Sequence, residues 1–387
     1  MALNNSFLWK GKGLRKLAST SILWRAPSDR IRNLLPGRLY VGIDLGTTHI
    51  KVAGLRLNQR SATLQFYSVV DLVETYEVET IEDIRPEHYV EQLRKIAEEY
   101  KIEKAVLNTT VPANKALIDT IKVPVDQTGN EVAETIQREL AQVSLAPLAE
   151  MQIACHTLSD EGSDGNSISL LSCAVPNQIL ENHRTLLAEC GLTASVIELD
   201  AFSLYNAMYY FINKKIGEPV TLIHVGAAYT VCLIMQPHKV PFFYVIEKGG
   251  NQVTNGIMEE IGLPFFKAEA FKKKMQKRNW PERSQFRESR LSCIYSEFAQ
   301  ELLREVRKCV RHYQTHQGIT TMSNVFLTGG SANLPYLIEK SKELLSFPTR
   351  VWNPLNHFRK QATQRSENSD ETGHQLPIVL GAVLRGD

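Results

Sequence analysis

One short pattern occurs twice in this chain, and it limits the fold more than any other feature. Val41-Gly42-Ile43-Asp44-Leu45-Gly46-Thr47-Thr48-His49-Ile50-Lys51 is the first copy. Leu222-Ile223-His224-Val225-Gly226-Ala227-Ala228-Tyr229-Thr230-Val231 is the second. Each runs from an apolar strand, through a tight turn of small residues, into another strand. Such a turn presents backbone N–H groups, which phosphate oxygens accept readily. Two of these tips facing each other would clamp a nucleotide's phosphates through Gly46, Thr47 and Thr48 on one side and Gly226 and Ala227 on the other.

The surroundings of the two hairpins also correspond. In the first half, β-like runs occupy 39–45, 49–57 and 63–72. Tyr89, Val90, Leu93, Ile96, Ala97 and Tyr100 then recur at helical spacing, and a strand follows from Lys104 to Thr109. In the second half, strands are expected at 220–225, 229–236 and 240–247, with a helix over 251–261. A helical insert at about 262–321 precedes a strand at 323–328, a helix over 333–345, a strand at 349–352 and a last helix over 377–385. Phe298, Leu302, Val306, Cys309, Val310 and Tyr313 form one apolar stripe, the clearest helix signal in the chain.

Residues 118–195 fit neither half and read as a small α/β insert, with helices at 131–140 and 179–189 among strands. The expected organisation is therefore a basic arm (1–38), a first half (39–117 and 196–216), the insert (118–195) and a second half (217–387). Residues 359–375 are polar and read as a loop.

Composition removes several function classes. The net charge of +2 provides no global basic field for nucleic acid. Six cysteines without CxxC spacing suit a reducing, cytosolic setting. The most apolar run, Val220 to Met235, is shorter than the ~20 residues of a membrane span. The arm is different: Lys10, Lys12, Arg15, Lys16, Arg25, Arg30, Arg32 and Arg38 stand against Asp29 alone, interleaved with Phe7, Trp9 and Trp24. That mixture suits an anionic lipid surface, or simply a leader segment.

Four segments carry a family resemblance: VGIDLGTTHIKV (41–52), EKGGNQVTNGIMEEIGL (247–263), VFLTGGSANLP (325–335) and LPIVLGAVLR (376–385). In that order and spacing the chain resembles the PilM family of type IV pilus assembly, and more widely the FtsA-like proteins. The resemblance covers about 39–387. It implies an α/β actin-like ATPase fold: duplicated ribonuclease-H-like βββαβα halves with a small α/β insert in the first.

The same resemblance implies ATP and Mg²⁺ as cofactors. Asp44 would organise Mg²⁺, mostly through water, as a hard cation prefers oxygen. Gly46, Thr47, Thr48 and Lys51 would meet the phosphates. Gly329, Gly330 and Ser331 would lie against adenosine, with Gly250, Glu269 and Lys272 nearby. Asp200 would stand where the family keeps a water-orienting acid, although it is one carbon shorter than the usual Glu. His224 replaces the second hairpin's aspartate. Imidazole is a poor Mg²⁺ ligand, so ATP hydrolysis is expected to be weak or absent.

On the partner side, the resemblance implies a cytoplasmic adaptor at the inner face of the inner membrane. It would bind the INLLPxR tail of a PilN-like membrane protein, contact a pilus motor ATPase, and possess a capacity to self-associate. An FtsA-like filament former, a related secretion-system component and a metabolite kinase are the alternatives. The arm itself carries a near-copy of the tail, in which Asn33, Leu34, Leu35, Pro36 and Arg38 could engage the same groove. Cys309, His312 and His316 lie at helical spacing that would suit a metal, although Cys309 belongs to the apolar stripe.

Overall fold

The structure, a computed structural model, describes residues 37–58, 61–124, 126–127, 129–144, 146–161, 166–212, 218–236, 239, 241–277, 289–319, 321–358 and 372–385. The proposed self-binding residues Asn33, Leu34, Leu35 and Pro36, with most of the arm, lie outside these described residues. So does 359–371 of the polar loop.

Among the described residues thirteen strands form three sheets. The first sheet contains β1 (Leu39–Leu45), β2 (His49–Asn58), β3 (Ser61–Asp71), β4 (Val106–Val111) and β8 (Val196–Leu199). The second contains β9 (Val220–Val225), β10 (Thr230–Met235), β11 (Phe242–Ile246), β12 (Asn324–Thr328) and β13 (Thr349–Val351). Their strand orders are β3-β2-β1-β4-β8 and β11-β10-β9-β12-β13, the same topology twice. In each, an antiparallel three-strand meander supplies one side and two parallel strands the other. A third sheet, β5 (Leu117–Pro124), β7 (Ser167–Pro176) and β6 (Met151–Glu161), is built from the small insert.

Pleating of the central strands decides what each half offers the other. Along β1, Val41 and Ile43 pack into a core with Leu93 and Ile96 of the helix Pro86–Tyr100. Tyr40 belongs to a different core, shared by both halves. Side chains alternate along a strand, so Asp44 leaves on the Tyr40 side. In β9, Ile223 and Val225 enter the outer core while Leu222 joins the shared one, so His224 leaves on the Leu222 side. Asp44 and His224 are thereby aimed at the space between the halves.

The shared core also includes Phe202 and Met208 of the helix Asp200–Ile212 and Val379, Leu380 and Val383 of the last helix, Pro377–Leu384. Every residue of that last helix is buried, because it packs between β1 and the helix Asp200–Ile212. Two glycines allow the approach. A methyl on Gly42 would strike the Val379 carbonyl, and one on Gly381 the Ser203 carbonyl.

One helix lies across an expected boundary. The helix Asn177–Glu189 was assigned to the insert, but its Leu187 packs into the Val41–Leu93 core of the first half. Leu180 of the same helix lies in one core with Leu171 and Val175 of β7, so the helix joins the insert to the first half. The apolar spacing of 179–189 announced a helix but carried no sign of which sheet it covers.

Candidate functional site

A cleft of about 1160 Å³ opens between the two main sheets. The hairpin turns Gly46–Thr48 and Gly226–Tyr229 both line it. They are closed alike: Gly46 N–H donates to the His49 carbonyl at 3.0 Å, and Gly226 N–H to the Tyr229 carbonyl at 3.0 Å. A Cβ at Gly46 would sit 3.1 Å from the His49 oxygen, and one at Gly226 would sit 2.8 Å from that of Tyr229. A side chain would collide at Gly226 and crowd the carbonyl at Gly46.

Among the residues expected at the site, Asp44, Gly46, Thr47, Thr48, Lys51, Asp200, Gly226, Ala227, Glu269, Lys272, Gly330 and Ser331 all border the cleft. Gly250 and Gly329 do not border it, and they lie behind it. Gly250 starts the helix Gly250–Ile261, and a methyl there would collide with Ser331 Oγ and lie 3.1 Å from Lys272 Nζ. Gly329, at φ +93°, lets the chain pass the Val225 carbonyl.

Charges in the cleft are closely tied. Asp44 and Lys51 are cross-strand partners in the β1–β2 register, and Lys51 Nζ lies 2.9 Å from Asp44 Oδ2 with both side chains nearly buried. Thr110 Oγ1 is 3.4 Å from the other Asp44 oxygen. Across the cleft Lys272 Nζ lies 2.6 Å from Glu269 Oε2, 2.9 Å from Thr254 Oγ1 and 3.1 Å from the Gly250 carbonyl. Thr254 Oγ1 also reaches Glu269 Oε2 at 2.6 Å. This network fixes the Lys272 ammonium at the start of the Gly250 helix.

Both oxygens of Asp200 accept hydrogen bonds from the protein. Ala113 N–H donates to Oδ1 at 3.0 Å, and the Tyr229 hydroxyl donates to Oδ2. Burial, reinforced by the nearby Asp44 charge, pushes its pKa up to about 7 against the pull of these donors. His224 is buried, and burial together with the Lys51 charge brings it down to about 3. Its ring is therefore neutral near pH 7, and its Nδ1 has no hydrogen-bond partner. The pseudo-symmetry places His224 opposite Val231, where the first hairpin pairs Asp44 with Lys51.

Several cleft residues were not anticipated. Tyr229 anchors Asp200, and Tyr89 O–H donates to the Gly46 carbonyl at 3.0 Å, steadying the first turn. Asn333 and His374 line the adenosine side expected from Gly329–Ser331. Lys273, Lys274 and Lys277 border the cleft as well. Lys273 pairs with Asp71, and burial lowers it to about 8. A lysine run on a helix carries no signal for the cavity it will meet, so only the assembled halves reveal this. The Cys309–His312–His316 series is no metal centre: Cys309 packs 3.5 Å from Cys232 Sγ inside the core. Among the described residues no group of three His, Cys, Asp or Glu side chains could hold a metal ion.

The cleft fits a nucleoside polyphosphate. It has two glycine turns, a buried lysine beneath one of them and a neutral imidazole beneath the other. It suits a divalent cation less well, because Lys51 already pairs with Asp44 and Lys272 with Glu269, and His224 stands opposite Asp44 in place of a second acid.

Comparison with known proteins agrees with this architecture. The model of the family "Type IV pilus assembly protein PilM" matches residues 42–387. A solved PilM–PilN type IV pilus biogenesis complex contains a chain that superposes with a TM-score of 0.74 at 17% identity, covering 90% of this chain and 98% of that one. The cell division protein FtsA of Enterococcus faecalis is 22% identical over 83% of this chain and 79% of its own. FtsA of Enterococcus hirae is 21% identical over 82% and 78%. This chain belongs to the PilM family of type IV pilus assembly proteins, and it has the actin-like ATPase fold.

Proposed function

We propose that this PilM-family chain is a nucleotide-binding scaffold of pilus assembly that hydrolyses ATP weakly or not at all. The observation that carries the reading is the pair of like glycine turns facing one cleft, with Lys51 and Lys272 held at fixed points inside it. Phosphate oxygens would accept from the turn N–H groups and from Lys51. Gly330 and Ser331 would lie along the adenosine, with Glu269 and Lys272 reaching its ribose. Hydrolysis needs a positioned water and charge neutralisation. Asp200 is engaged by Tyr229 and Ala113, and His224 stands where a second acid would be, so neither supports turnover.

The partner we propose is the cytoplasmic tail of a PilN-like membrane protein, of the form INLLPxR, bound between the small sheet and the first half. Support comes from the likeness to a chain solved in a PilM–PilN complex and from the open edges of the small sheet at β5 and β6. An extended peptide binds such a place by backbone pairing and side-chain pockets. Contact with the motor ATPase and self-association belong to the same proposal, as does residence at the inner face of the membrane. No helix among the described residues is long and apolar enough to cross it.

The test is a calorimetric titration of an INLLPxR peptide into the full chain and into a form lacking residues 1–38. Saturable one-to-one binding is expected, tightening on deletion if the arm competes. Absence of binding up to about 1 mM peptide would remove the adaptor reading.

A further inference from the structure

Magnesium requires an oxygen shell of near-octahedral geometry, usually with one or two carboxylates beside the phosphates. Three carboxylates line this cleft: Asp44, Asp200 and Glu269. Asp44 receives Lys51 at 2.9 Å and Thr110 at 3.4 Å. Asp200 receives Ala113 N–H and the Tyr229 hydroxyl on its two oxygens. Glu269 receives Lys272 and Thr254 through Oε2. The fourth position, opposite Asp44 by the internal symmetry, is His224, a nitrogen donor suited to softer ions. Positive charge is instead supplied by the protein. Lys51 Nζ lies 3.4 Å from the point where a Gly46 Cβ would be, directly beneath the first turn. Lys274 and Lys277 border the same cleft and add to it.

We infer that this chain takes its nucleotide as the metal-free polyphosphate, with the Lys51 ammonium standing where a divalent cation would otherwise bridge phosphate and protein. The inference rests on the nucleotide reading above and concerns the form in which the ligand enters. His224 borders the cleft with a neutral imidazole where an acid would otherwise stand opposite Asp44. A carboxylate at that position would repel a metal-free polyphosphate, which is the physical role of the replacement.

The experiment is calorimetric titration of ATP into the full chain, in Mg²⁺ and in EDTA, for wild type and His224→Asp. Wild-type affinity is expected to agree between the two buffers within about twofold. His224→Asp is expected to lose about tenfold or more in EDTA and to regain affinity in Mg²⁺. Wild-type binding that falls about tenfold or more in EDTA overturns the inference while leaving the nucleotide reading intact. No binding in either buffer overturns both. Should His224→Asp not fold, the wild-type pair of titrations decides alone.

Discussion

Buried titratable groups in the cleft give the molecule a particular response to acid. His224, at about 3, and His374, at about 4, are both lowered mainly by burial. An unfolded histidine titrates near 6.5. Below that pH the unfolded chain takes up protons that the folded chain refuses. The stability these two confer is therefore complete above about 6.5 and is lost as pH falls toward their folded values. Asp200 acts in the opposite sense. Its folded value of about 7 lies above the unfolded ~3.9, so its contribution rises as pH falls from 7 toward 4. Thermal melts from pH 8 to 5 should show falling stability with net proton uptake. His224→Asn should flatten that limb and Asp200→Asn should steepen it; unchanged profiles in both would contradict the assigned burial. His224 itself was legible as a departure, since aligning the two hairpins sets it against Asp44. The Tyr229 and Ala113 bonds that bind up Asp200 were not legible, because they join residues remote in sequence.

At the scale of elements, the last helix locks the halves together through its closeness to β1. Gly381 faces the Ser203 carbonyl, and no alanine Cβ fits there without displacing the helix Asp200–Ile212. Gly381→Ala should lower unfolding free energy by about 1–3 kcal/mol, measured by denaturant titration. Gly262→Ala makes a useful contrast. Its added methyl meets nothing, and its cost comes only from the left-handed φ of +66° at the helix end. Equal losses would argue that close packing at Gly381 is not what matters. Strand positions were readable from alternation and turn residues. The runs at 39–45 and 49–57 appear as Leu39–Leu45 and His49–Asn58, and the stripe from Phe298 to Tyr313 lies in the helix Arg290–Gln317. The helix Asn177–Glu189 shows the limit, because periodicity fixes a buried face without naming what buries it.

For the whole molecule, duplication is the organising fact. Two sheets of identical strand order meet across a shared core, and the pleat of their central strands aims Asp44 and His224 into one cleft. A repeated hairpin in the sequence was enough to expect two halves. It was not enough to place Lys273, Lys274 and Lys277, which reach the cleft only through the packing of the helical insert. The two halves depart from each other where chemistry would depend on them, with Asp44 and Lys51 on one side and His224 and Val231 on the other. On the function proposed above, that asymmetry would suit holding phosphates rather than cleaving them. The clamp predicts a ladder of affinities, because each added phosphate should engage the turn N–H groups and Lys51. Titrating ATP, ADP and AMP into the full chain measures it. Affinity should fall from ATP to ADP and drop steeply for AMP, with Gly46→Val and Gly226→Val each abolishing the preference for ATP. Equal affinity for all three, or a preference untouched by either substitution, would contradict the account.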